Sequence, residues 1–222
     1  MRGGDQTREK LKQAAEALFA ERGFNAVTVR DILEAAGQRN TGSVHYYFRT
    51  KETLARELVA DGARRIDEDR NLRLDQLERR GGPEDLRDVI ELLAYPYFVD
   101  EDFMRFLSRL MQDNYELFLE GAKGQDSGFR RVIAHADRLL PSIPKPVLLQ
   151  RFQLVIVYLT SMLALQSGGR HGDKSWAQFW RVPGAAEMLL DTVEGMLRQP
   201  VSAQTRAAMR AGLKPKRAAS SG

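Results

Sequence analysis

The 222-residue chain contains no cysteine. That excludes a disulfide framework, a thiolate zinc site and a cysteine nucleophile. A reducing, cytoplasmic location is the expectation. Histidine is nearly as scarce. His45, His135 and His171 stand far apart, and no H-E-x-x-H spacing occurs. Neither a G-x-S-x-G elbow nor a glycine-rich phosphate loop is present. Ser142-Ile143-Pro144-Lys145 matches S-x-x-K in form only, because prolines flank it and the pattern is short. No enzyme, catalytic residue, metal or cofactor is expected.

Long hydrophobic runs are also missing. Phe152 to Leu165 is the most apolar stretch, but it holds Gln153, Thr160 and Ser161 and follows Arg151. A spanning helix needs about 20 apolar residues, so the segment reads as a buried helix and no membrane partner is expected. Residues 1–6 precede no apolar stretch of secretory type. Alternating strand patterns and hairpin turns are absent as well.

What the chain does have is helical periodicity throughout. The reading is all-α. Leu11, Ala14, Ala15, Leu18 and Phe19 mark one face of a helix over Thr7–Arg22, closed by Gly23. A second helix starts at Thr28, with Asp31 placed to complete the cap, and ends at Gly37. A short polar one covers Asn40 to Phe48. Thr50 caps a long helix from Lys51 to about Leu77, which breaks at Arg79-Arg80-Gly81-Gly82-Pro83. Further helices are expected near 84–98, 102–121, 127–140, 145–167 and 184–198. The organisation expected is a helix-turn-helix domain over 1–52, a helical regulatory and dimerisation domain over 53–200, and a basic, disordered tail over 201–222.

Net charge is +4. Residues 1–52 carry nine Lys/Arg against seven Asp/Glu, and residues 201–222 carry five Lys/Arg and no acid. A basic excess invites nucleic acid, but most of it sits on the tail. The motif therefore carries the argument. Three unequal helices in 50 residues, the last two joined by a short turn, outline a helix-turn-helix whose final helix enters the major groove. Asn40, Thr41, Ser43, His45, Tyr46 and Tyr47 supply hydrogen-bonding groups on that helix, while Val44 and Phe48 face inward. Arg30 and Arg39 join the contact set by position and charge.

Thr28-Val29-Arg30-Asp31-Ile32, Ala35-Ala36-Gly37, Gly42-Ser43-Val44-His45-Tyr46-Tyr47-Phe48 and Lys51-Glu52-Thr53-Leu54 together resemble the N-terminal signature of TetR-family regulators. The Gly37-Gln38-Arg39-Asn40 turn is one residue longer than the common form and is similar to that of a family subset. His45 stands where tyrosine is commonest. The resemblance implies a phosphate contact from Thr28, groove contacts from Ser43, His45, Tyr46 and Tyr47, and phosphate neutralisation by Lys51. Asn40 and Thr41 are either caps or contacts, and Tyr47 is either a contact or packing.

The resemblance further implies a homodimeric repressor on a palindromic operator of double-stranded DNA, released by a small-molecule effector. An activator, a ligand-independent regulator or a non-specific DNA scaffold are the alternatives. Dimerisation is expected through the helices near 145–167, apolar on nearly every side, and 184–198. A largely apolar effector would meet aromatic and methionine side chains: Tyr95, Phe98, Phe103, Phe106, Met111, Tyr115 and Tyr158. Arg109, His135 and Arg151 would meet any anionic group. For each aromatic the competing reading is core packing. The tail, Arg206 to Arg217, is a candidate for non-specific DNA affinity.

Overall fold

A computed structural model describes residues 2–38, 42–168 and 178–212. The first three helices are α1 (Arg2–Arg22), α2 (Val29–Ala35) and α3 (Gly42–Phe48). α4 (Lys51–Glu78), α5 (Leu86–Val99), α6 (Glu101–Asp113) and α7 (Tyr115–Ala122) follow. The last four are α8 (Ser127–Leu139), α9 (Lys145–Gly168), α10 (Ala185–Arg198) and α11 (Ala203–Gly212). No strand occurs among the described residues, so the all-α expectation holds. None of their helices is long and apolar enough to cross a membrane.

Local chemistry sets most of the boundaries. Thr28 and Asp31 form a reciprocal capping box ahead of α2, and Asp85 and Asp88 form another ahead of α5. Thr50 accepts from the Thr53 amide to start α4. Gly37 leaves α2 with φ 65°, a left-handed conformation that glycine adopts without a Cβ clash.

Two expectations are corrected. The single helix expected over 102–121 is two helices, α6 and α7. Asn114 separates them: its backbone leaves the helical region at φ −158°, ψ 82°, and its side chain caps the Leu117 amide at 3.1 Å. The tail expected to be disordered forms a helix over 203–212. Ser202 Oγ accepts the Thr205 amide at 3.1 Å, Val201 is buried and Met209 packs against the core. Residues 213–222 lie outside the described residues.

α4 is the axis of the molecule, packed by α1, α5, α7 and α8, and α6 lies between α1 and α9. One core runs through all of it, from Leu11 and Phe19 through Phe103 and Phe106 to Val193 and Leu197. Pro96, inside α5, lacks the N–H that would bond the Leu92 carbonyl one turn back. The nearly buried Arg70 of α4 supplies the missing donor, with Nε 3.4 Å from that oxygen. Asp67, one turn earlier on α4, caps α8 from outside, accepting the amides of Ser127 and Gly128 at 3.1 and 2.8 Å.

One side of α9 is covered: Phe152, Val155 and Leu159 are buried. On the other, Leu149, Leu154 and Val157 are exposed, as is Met188 of α10.

Candidate nucleic-acid interface

The N-terminal head consists of α1 to α3, held to the start of α4. Val44 and Phe48, one helical turn apart, are both buried and pin α3 on this core. The Arg8 guanidinium lies over the Phe48 ring, 5.0 Å from its centroid. With that side buried, His45 and Tyr46 face outward, and Tyr46 is 81% exposed. Its ring meets the edge of Tyr47, centroids 4.9 Å apart at 87°.

Tyr47 is half-buried and packs against the core, with its hydroxyl close to Gly4 of α1. Of the two readings for Tyr47, the structure favours packing. Ser43 lies in the first turn of α3, but its side chain, with Arg39, Asn40 and Thr41, lies outside the described residues. Arg30 is exposed on α2.

Two expected phosphate contacts have other partners. The Thr28 hydroxyl donates to Asp31 at 2.6 Å, and the Thr28 amide donates to the same carboxylate at 2.7 Å. Those bonds from Thr28 hold the Asp31 carboxyl below its usual range. A charged carboxylate at this point opposes an incoming phosphate. Lys51 Nζ donates to the carbonyls of Phe24 and Val27, at 2.9 and 2.8 Å, and sits 4.2 Å from the Phe24 ring centroid. Two of its three N–H donors are therefore engaged, and the residue ties the α1–α2 turn to α4.

The head is joined to the rest through α6. Phe19 of α1 stacks on Phe106 of α6, and the Asn25 amide donates to Asp113 at 3.1 Å.

Among the described residues, the expected effector contacts do not line one common cavity. Phe103 and Phe106 are fully buried in the continuous core. Arg73 stacks over the Tyr95 ring, 3.3 Å from its centroid, and Tyr95 lines two clefts of about 270 Å³ each. Phe98 lies at the surface, Arg109 is exposed, and Met111 is partly buried. Tyr115 is half-exposed against Phe118. His135 Nε2 pairs with Glu78 at 2.8 Å, which, with Arg131, holds the Glu78 carboxyl low. Arg151 donates to the Leu197 carbonyl at 2.8 Å, joining α9 to α10, and Tyr158 packs on the core.

A cavity of about 650 Å³ opens elsewhere, between α1, α4 and α6, and it is charged. Lys12, Glu16, Asp61, Arg65, Asp102 and Arg105 are among its lining residues. Lys12 pairs with Asp61 and lies 3.7 Å from Glu57. Burial, and after it the neighbouring Asp100, raises the Glu16 carboxyl above its usual range, against the pull of Arg65. Lys12 and Glu16 adjoin the apolar stripe of α1. The partners of Lys12, Glu57 and Asp61, lie more than forty positions away on α4, and Asp100 beside Glu16 lies further still, so no local pattern points to them.

Known proteins carry the same head. Residues 11–58 match the family model described as bacterial regulatory proteins, tetR family. The chain is 43% identical over 54 residues to the HTH-type transcriptional repressor KstR2 of Mycolicibacterium smegmatis, covering 24% of this chain and 26% of that protein. It thus spans about a quarter of that curated relative. It is 27% identical over 145 residues to the uncharacterized HTH-type transcriptional regulator YfiR of Bacillus subtilis, covering 56% of this chain and 68% of YfiR. Over a longer span, the crystal structure of a TetR family transcription regulator from Marinobacter aquaeolei shares the fold. Its TM-score is 0.56 at 18% identity, covering 86% of this chain and 97% of that one. Residues 11–58 are thus similar to the N-terminal helices of the tetR family of bacterial regulatory proteins.

Proposed function

We propose that the protein is a homodimeric, sequence-specific DNA-binding repressor, released from a palindromic operator by a small-molecule effector. The observation that carries the reading is α3. It is buried on Val44 and Phe48 and presents His45 and Tyr46 outward. The major groove is about 12 Å wide and admits one helix. The exposed Arg30 of α2 serves as a phosphate contact in this reading. Kinship of the head with the repressor KstR2 supports the sign of regulation.

Dimerisation is supported by the outer face of α9. Leu149, Leu154 and Val157, with Met188 of α10, leave apolar surface in water, and such patches mark interaction sites. A two-fold partner seated there repeats the head, and a repeated head reads an inverted repeat. In this reading residues 1–52 serve DNA and residues 53–200 serve dimerisation and the effector. The effector acts by shifting α6, whose Phe106 bears on Phe19 of the head. Effector and DNA then weaken each other's binding by the same factor.

Binding of the purified protein to operator DNA, followed as compounds are added, tests the scheme. A ligand that binds tightly yet leaves operator affinity unchanged contradicts release.

A further inference from the structure

α3 closes on Arg49, whose φ of 66° is unusual for a residue with a side chain. His45 and Arg49 are joined twice. The Arg49 amide donates to the His45 carbonyl at 3.0 Å, and His45 Nδ1 lies 2.9 Å from the Arg49 carbonyl oxygen. A carbonyl oxygen only accepts, so the proton sits on Nδ1. In the neutral ring the second nitrogen, Nε2, is then an acceptor. It has no partner among the described residues, and His45 is exposed beside Tyr46.

We infer, resting on the DNA-reading function proposed above, that His45 is a specificity-determining residue: its Nε2 accepts a hydrogen bond from the exocyclic amino group of adenine or cytosine in the major groove. The other partners lack the necessary donor. Guanine offers N7 and O6 at its major-groove edge, and thymine offers O4 and a methyl group. Phosphate oxygens are acceptors as well and pair only with a ring protonated on both nitrogens. The Arg49 carbonyl therefore selects the base class indirectly. Turning the ring to present Nδ1 outward breaks the 2.9 Å bond.

The test joins protein and DNA substitutions. Random duplex DNA is selected with the wild-type protein, with His45→Ala and with His45→Phe, which keeps a ring but no nitrogen. Expected is one base pair of each half-site that both variants relax while the rest of the site persists; on one strand or the other that pair carries an adenine or a cytosine. At that position, purine replacing adenine, or 2-pyrimidinone replacing cytosine, deletes only the amino group. Wild-type affinity then falls about tenfold, and variant affinity hardly changes.

Two results overturn the inference. Neither variant relaxes any position of a site that wild-type protein selects. Or deleting the amino group costs wild type and variants equally. Wild-type protein that selects no sequence overturns the DNA-reading function itself, and the inference with it.

Discussion

Phe19 of the reading head and Phe106 of α6 stack with ring centroids 5.8 Å apart and planes inclined by 25°. Both rings are fully buried. α6 and the head therefore share one packed core, so a displacement of α6 is felt by α1. Phe106→Ala is expected to cost about 3–5 kcal/mol, read from urea unfolding. Phe106→Leu, which nearly preserves volume, is expected to cost about 1 kcal/mol and to weaken effector-induced release. Full release in a folded Phe106→Leu variant contradicts coupling through this contact.

Lys51 and Arg30 separate a strut from a phosphate contact. Lys51→Met removes two charge-assisted bonds to Phe24 and Val27 and is expected to cost about 2 kcal/mol of stability. The salt dependence of its DNA binding should match wild type. Arg30→Ala is expected to leave stability alone and reduce the slope of log K against log salt by about 0.9, one phosphate's worth. A reduced slope in Lys51→Met assigns that ammonium to DNA.

Glu16 gives a pH test. Burial and Asp100 raise its carboxyl in the folded state. Between the unfolded value and this raised one, the folded chain holds more protons, so stability falls as pH rises through the interval. Glu16→Gln is therefore expected to stabilise the protein at pH 7 and to have little effect below about pH 4, where unfolded glutamate is also protonated. Urea midpoints at both pH values measure this, and an equal gain at both contradicts it.

The outer face of α9 predicts the oligomer. Leu154, 60% exposed, lies near the middle of that helix. Leu154→Glu places charge in the proposed seam and is expected to yield a folded monomer by sedimentation, with operator binding lost. A dimer that survives the substitution puts the seam elsewhere.

The parts of this molecule legible in its sequence are those decided within a few residues. Thr28 with Asp31, Gly37 and Thr50 act on their own turns, so the caps and the helix-turn-helix outline could be read directly. The inward Val44 and Phe48 follow from the same spacing. Asn114 shows the limit even there. A polar residue inside a helical pattern is compatible with continuation, and only the backbone geometry reveals the break. The Ala203–Gly212 helix was missed because small and basic residues lack a broad apolar stripe, yet Val201 and Met209 suffice to dock it.

Relationships that span the chain left no local trace. Lys51 meets carbonyls 24 and 27 positions earlier. Arg70 answers an orphan carbonyl created by Pro96, 26 positions later. Phe103 and Phe106 look the same in sequence whether they line a cavity or fill a core, and here they fill it.

Selection of random duplex DNA by refolded, effector-free protein at about 0.15 M salt tests the central claim most directly. The account predicts one inverted repeat, with half-sites about 34–36 Å apart or a multiple of that spacing. Recovery of no preferred sequence, or of a single half-site without symmetry, contradicts a dimeric sequence-specific regulator.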